Sequence, residues 1–261
     1  MHRVKIDDNL IRTDLLLEKN PKIKEVERKE YKDIKVVTSK SNNNLYTTIF
    51  FNDITDTTSY YNLEKVLVEE LSKYIKLKKD DRFLVVGLGN AKSTPDSLGP
   101  LTIDKVLPTK YLFDLGDVEE GYSNVSIYKP DVIGNTGIES ITIIKSIIKE
   151  IKPTKVIIID SLKASNIDRL TKTIQITNSG INPGSGINNN RGEISKKTIN
   201  REVIAIGIPT VVDIKSLIKD NSNECFIVTP TNIDFVIERL SMLISNSVNI
   251  NLHKNYNRQI N

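Results

Sequence analysis

The sequence is short of the groups on which most hydrolytic mechanisms depend. It has one cysteine, Cys225, in 261 residues, so no disulfide can form within the chain, and a lone thiol suits a reducing compartment. Its two histidines, His2 and His253, each lie close to an end of the sequence. No imidazole from the interior is therefore at hand to activate Ser161, Ser185 or Cys225 as a nucleophile. A serine–lysine pair stays open, because lysines are plentiful, yet no spacing selects one of them. Long apolar runs are missing from the first twenty residues, MHRVKIDDNLIRTDLLLEKN, where charges interrupt every short one. That pattern forms neither a signal peptide nor a membrane span, and the expected location is the cytoplasm. Charge of one sign is also lacking: 37 basic residues face 33 acidic ones, a net +4 with no long basic block. Such a balance gives no case for nucleic-acid binding.

What is present is an alternation of strand-like and helix-like segments. Residues 34–38 and 45–51 are β-rich and flank the turn signal SKSNNN, which predicts a hairpin. Leu63, Val66, Leu67, Leu71, Tyr74 and Ile75 recur at helical spacing ahead of an apolar strand at 83–87. Further on, strands are expected at 155–160, 173–177, 203–208 and 226–228. Helices are expected after Asp96, over 138–151, near 213–218 and over 232–245. No internal repeat is visible. Strands alternating with helices predict an α/β fold in three layers, a largely parallel sheet with helices on both faces, plus the small N-terminal hairpin region.

The segment FLVVGLGNAKSTPDSLGPL, residues 83–101, runs from a buried strand into polar residues, and VIIID does the same at Asp160. Open α/β sheets collect reacting groups at the carboxyl ends of their strands, so Asp96 and Asp160 can meet in one cleft. The turn GLGN is not a dinucleotide fingerprint: Lys92 stands where that motif needs glycine, and Pro95 follows soon after. Asp96 precedes the apolar positions Leu98, Leu101, Ile103 and Val106 and has the placing of a helix N-cap. Asp160 closes a strongly apolar run, where a carboxylate is costly unless paired or set in a cleft. Two neighbouring carboxylates resist ionising together; one keeps a proton to donate while the other activates a water, an arrangement suited to amide hydrolysis. The glycine- and asparagine-rich stretch 181–195 reads as a loop, with Arg191 as a candidate for binding an acidic substrate side chain. Asp213, at the end of GIPTVVD, reads as a third cleft carboxylate that helps bind substrate, or as a cap.

Several segments in order, RTDLLLE, VVGLGNAKSTPDSLGP, GNTGIESITII, IIIDSLKASNIDRL, TIQITNSGINPGSGINNNR, EVIAIGIPTVVDI and FIVTPTNIDFVIERL, resemble the germination proteases of spore-forming bacteria. The resemblance implies an atypical aspartic endopeptidase of the forespore and spore core, with no cofactor, whose catalytic carboxylates match Asp96 and Asp160. It implies small acid-soluble spore proteins as substrates, a homotetramer, and a zymogen that processes itself in acid. By that resemblance residues 1–14 form a propeptide cut between Asp14 and Leu15, leaving 15–261 as a single α/β peptidase domain. GLGN followed by Asp-x-x-Gly-Pro is also similar to the hydrogenase maturation endopeptidases, which use acidic residues and a histidine around a metal. Here Asp96 and Asp160 have no internal histidine beside them in the sequence, and a metal-free mechanism is the expectation. A metal-dependent hydrolase and a non-catalytic binding module on the same scaffold are the competing readings. Two departures stand out. A polar insertion common among relatives is replaced by NSNEC before FIVTP, and Ser161 and Lys163 stand where alanine is common, Lys163 being placed to favour the ionised form of Asp160 if it faces the cleft.

Overall fold

The computed structural model describes residues 13–183, 192–213 and 226–256. The strands are β1 (Glu25–Tyr31), β2 (Ile34–Ser41), β3 (Asn44–Phe51), β4 (Arg82–Gly87), β5 (Asn124–Tyr128), β6 (Lys155–Ala164), β7 (Thr173–Thr177), β8 (Glu202–Asp213) and β9 (Ile227–Val228). The helices are α1 (Leu16–Lys19), α2 (Thr57–Ile75), α3 (Leu98–Ile103), α4 (Lys110–Leu115), α5 (Ile133–Thr136), α6 (Ser140–Ile151), α7 (Lys196–Ile199) and α8 (Ile233–Leu252). The expected helix near 213–218 falls, past Asp213, outside the described residues.

Among the described residues the nine strands join one sheet in the order β1-β2-β3-β7-β8-β6-β4-β5, with β9 paired to β8. The pairs β5–β4, β4–β6 and β6–β8 are parallel. The expected hairpin is β2–β3; β1 adds a third strand to it, and β3 docks antiparallel on β7, so the N-terminal region extends the main sheet. Chain order around β4 sets the position of the cleft. After β4 the chain leaves toward β5, whereas after β6 it leaves toward β7 and β8, so the connections part between β4 and β6, where a crevice opens at the carboxyl ends of the strands.

Side chains alternate across the sheet and fill two cores. One holds Phe83, Val85, Ile157, Ile159, Ile204 and Ile206 against α2, α3 and α8. The other holds Leu84, Val86, Val156 and Ile158 against Ile141, Ile144 and Ile148 of α6 and Ile199 of α7. Helix α2 begins earlier than its apolar spacing alone indicates, because Asp56 caps it, accepting from the Ser59 N–H at 2.7 Å. Helix α8 runs seven residues past the expected end at Ser245. Its polar continuation is buried rather than solvated. Asn249 accepts from the Leu107 N–H at 3.0 Å and donates to the Lys105 carbonyl at 3.0 Å, and Asn251 donates to the Val68 carbonyl at 3.1 Å. Among the described residues no helix is long and apolar enough to cross a membrane.

Helix α3 sits with its backbone directly on the strand ends. A Cβ at Gly99 would lie 2.2 Å from the Leu88 carbonyl oxygen and 2.7 Å from that of Ile159, and one at Gly87 would lie 2.3 Å from the Gly99 carbonyl oxygen. Leu88 also donates its N–H to the Ile159 carbonyl at 2.8 Å, tying the end of the β4 segment to β6. His253, 1% exposed, follows α8; its Nδ1 accepts from the Ser123 N–H and its Nε2 faces the Leu107 carbonyl, each at 3.3 Å. Both bonds suit the neutral ring that carries its proton on Nε2.

Gly99→Ala is expected to destabilise the chain by about 3 kcal/mol, because the obstructing atoms are backbone. Gly134→Ala, whose Cβ would meet nothing within 4 Å, should change stability by no more than about 0.5 kcal/mol; denaturant midpoints of the two variants check the contrast. Burial holds the His253 pKa below its ordinary 6.5, against a weaker upward pull from the Leu107 carbonyl. The unfolded chain therefore takes up this proton first as pH falls. The contribution of His253 is complete above about pH 6.5 and is lost as pH drops through its folded value. Melting temperatures between pH 7.5 and 5 should fall more steeply in the unaltered chain than in His253→Gln.

Candidate active site

The seat of Asp96 is built from glycine and a tight turn. Gly89 has φ +117°, and a Cβ there would lie 2.0 Å from the Asp96 carbonyl oxygen, so a larger residue would push the turn away. Thr94–Asp96 form a single 3-10 turn, and Ser97 rather than Asp96 is the N-cap of α3. The capping role expected for Asp96 is thus corrected: its Oδ2 accepts from the Asn90 N–H at 2.9 Å, which ties the carboxylate back to the GLGN turn. The same N–H reaches the Asp96 carbonyl at 3.1 Å. From the other side, Thr210 Oγ1 donates to the Pro95 carbonyl at 2.6 Å. Thr210 is free for this because β8 bulges there: Leu162 pairs with Pro209 and Lys163 with Val211, leaving Thr210 between them.

Asp160 is not at a strand end, as its sequence position indicated, because β6 continues to Ala164. Pairing with β4, however, stops at Gly87↔Ile159, so Asp160 is the first β6 residue beyond the edge of β4 and turns into the crevice, 6% exposed. Asp96 and Asp160 line one cavity of about 190 Å³, together with Asp14, Ser161, Lys163 and Thr210. Ser161 Oγ has no hydrogen-bond partner among the described residues and leaves a polar position in the cavity wall for a water or a substrate.

Lys163 carries its charge into the same wall. Its ammonium donates to Asp213 Oδ2 at 2.8 Å, with side chains 2% and 5% exposed. In a buried pair of this kind the cost of removing two charges from water is offset by their mutual attraction. Asp213 is not among the residues lining the cavity; it meets the site through Lys163.

The segment around Asp14 is tied down residue by residue. Asp14 N–H donates to the Lys163 carbonyl at 2.8 Å, and Asp14 Oδ2 accepts from the Lys163 N–H at 2.9 Å. Leu15, 2% exposed, packs with Leu162, Ala164 and Ile181 in a small apolar cluster apart from the two main cores. Glu18 accepts from the Ser165 and Asn166 N–H groups at 2.8 and 3.1 Å and from the Thr13 hydroxyl. Of the residues singled out from sequence, Asp14, Asp96 and Asp160 are thus brought together, and Leu15 lies alongside. His253 serves the fold. His2, Ser185, Arg191 and Cys225 lie outside the described residues. Thr210 and Gln175 were not singled out; each is one polar side chain inside a β-rich run, TIQIT for Gln175, and nothing in such a run marks it. Among the described residues no group of three or more His, Cys, Asp or Glu side chains is gathered closely enough to hold a metal ion.

The model of the family described as germination protease matches residues 8–223, which takes in every site residue just described. The chain belongs to the germination protease family. A germination protease from Geobacillus sp. (strain WCH70) is 46% identical over 163 residues, 60% of this chain and 44% of that protein. One from Bacillus mycoides (strain KBAB4) is 46% identical over 170 residues, 63% of this chain and 46% of that protein. The match thus spans about half the length of these germination proteases. Among solved structures, the [NiFe] hydrogenase maturation protease HycI from Thermococcus kodakarensis KOD1 aligns with 69% of this chain and 98% of its own, at 17% identity and a TM-score of 0.38.

Thr210→Val keeps the shape of the side chain and removes the donor to Pro95. It should cost about 1–2 kcal/mol, with most of the loss restored in Thr210→Ser; urea denaturation of the three proteins measures both.

Proposed function

We propose that the chain is an endopeptidase that opens the degradation of small acid-soluble spore proteins during germination, by a water held between Asp96 and Asp160. The observation that carries this reading is that, in a chain of this family, both aspartates line one cavity together with Asp14 of an acidic-aliphatic pair. One carboxyl group keeps its proton and hydrogen-bonds the carbonyl oxygen of the bond to be cut. The other, ionised, draws a proton from the water as it attacks. The carboxyl that took the proton from the water then gives it to the leaving amine nitrogen as the C–N bond breaks. The Asn90 N–H on Asp96 Oδ2 orients that carboxylate in the cavity.

In this reading residues 1–14 are a propeptide. Asp14 lines the cavity, which supports self-cleavage after it, and an acid trigger follows from the need for one carboxyl to hold a proton. Arg191 and Asp213 are carried as substrate-binding candidates, Asp213 acting through Lys163. The setting is the spore core and the assembly a homotetramer, both taken from the likeness to the family.

Asp96→Asn and Asp160→Asn, compared with the unaltered chain, should each lose cleavage of a small acid-soluble spore protein by at least about a thousandfold while keeping their circular dichroism. Fragment masses should place the cuts after acidic residues. Full cutting by a folded Asp160→Asn would remove the carboxylate pair from the chemistry. Loss of cutting on chelation, restored by a divalent cation, would replace the metal-free mechanism with a metal-dependent one.

A further inference from the structure

The segment Thr13 to Leu16 is held in a way that an ordinary strap on the surface does not require. The carboxylate of Asp14 is read by a main-chain N–H, that of Lys163, while the Asp14 N–H pairs with the carbonyl of the same residue. Gln175 grips the chain on both sides of the Asp14–Leu15 bond: its Oε1 accepts from the Leu16 N–H at 2.8 Å, and its Nε2 approaches the Asp14 carbonyl at 3.4 Å. Leu15 fills an apolar hollow between Leu162, Ala164 and Ile181. Main chain is thus held by hydrogen bonds and side chains by separate seats, the division of labour found when a peptide is added to a sheet.

The sheet explains how Gln175 comes to share a face with Asp160. Asp160 pairs with Gly207 across β6 and β8, and Gly207 pairs with Gln175 across β8 and β7. Paired residues of adjacent strands share a face, so Asp160 and Gln175 project on the same side with a glycine between them. Two strand spacings separate their Cα atoms, roughly 10 Å. A Cβ on Gly207 would meet the Leu162 side chain at 2.5 Å, so the absence of a side chain there leaves Leu162 free to form one wall of the leucine seat. Beyond Asp14 the surface continues into a second cavity, of about 310 Å³, lined by Gln175, Tyr46, Thr177 and Gly207 and sharing Asp14 and Leu162 with the first.

We propose that residues 13–16 occupy this enzyme's own substrate subsites. The Lys163 main chain selects the acidic residue before the cut, the Leu162–Ala164–Ile181 hollow takes the aliphatic residue after it, and Gln175 is the substrate-binding side chain that aligns the peptide toward Asp160. This assignment rests on the proteolytic reading for its biological meaning, but its binding content is separately measurable.

The experiment uses the full chain carrying Asp14→Ala and Leu15→Ser, which can no longer refill the subsites, and a labelled peptide of the sequence RTDLLLE. Fluorescence anisotropy reports binding, and mass spectrometry of the same sample reports cutting. The peptide should bind, about tenfold more weakly when asparagine replaces its aspartate, and about tenfold more weakly again when Gln175→Ala is added to the protein. Binding with that pattern but without cutting would leave the subsites standing and remove the proteolytic reading. Absence of binding, or binding indifferent to both changes, would overturn the assignment even if spore proteins were cut. If the double variant does not fold, hydrogen exchange decides: in the otherwise unaltered chain Gln175→Ala should speed exchange of the Leu16 amide at least tenfold, and an unchanged rate overturns the role of Gln175.

Discussion

The contact on which the site depends is backbone against backbone, between α3 and the ends of β4 and β6. Gly99 lies against the Leu88 and Ile159 carbonyl oxygens with no room for a methyl group. A helix seated this closely cannot slide, because each direction is blocked by main chain rather than by side chains that repack. The turn that carries Asp96 leads into that helix, and Asp160 follows Ile159 along β6. The position of one carboxylate relative to the other is therefore fixed by covalent connection on both sides of a single close contact. Gly87 and Gly89 extend the same logic: three glycines spaced two and ten residues apart leave the backbone as the only material at the crossing.

The two halves of the sheet contribute different things. The parallel half, β5-β4-β6-β8, opens the crevice and supplies both catalytic candidates. The antiparallel half, reached through β7, supplies Gln175 and the surface on which residues 13–16 lie. The β8 bulge at Thr210 joins the halves, because it redirects one strand to hold the Pro95 carbonyl while its lower part keeps the register that aligns Gly207 with Asp160. A charge pair, Lys163 with Asp213, lies at the far ends of β6 and β8, where the two strands are still paired.

Much of this was legible in the sequence, for reasons that also explain what was not. Strands buried on both sides read as unbroken apolar runs, and VIIID and FLVVG mark β6 and β4, with Asp160 inside the first and Asp96 on the turn that follows the second. The helical spacing in α2 and α6 was equally plain. SNSVNINL looks solvated, so the sequence pattern ends helix α8 early, whereas Asn249 is buried and satisfies the backbone of Lys105 and Leu107 beyond α3, and Asn251 bonds the Val68 carbonyl of α2. Aspartate before an apolar helix has the placing of a cap as well as of a cleft carboxylate; here the Asp96 carboxylate turns back to the Asn90 N–H, beside a turn that Gly89 allows to close, and local preference does not foretell it. β1 escaped notice because EVERKEY has no apolar alternation, its pattern being almost wholly exposed. Gln175 and Thr210 gain their roles only from register and from a bulge, which pair residues far apart in the chain.

That exposed strand has a meaning for the molecule as a whole. β1 closes one side of a nine-stranded sheet, and five of its seven residues, Glu25, Glu27, Arg28, Lys29 and Glu30, are charged. Its pairing with β2 shifts register between Glu25 and Glu27, and Lys29 turns away to Glu69 and Glu70 of α2. A rim that is charged, kinked and partly engaged offers poor footing for another strand. Strand-to-strand joining of two sheets along that border is thereby disfavoured.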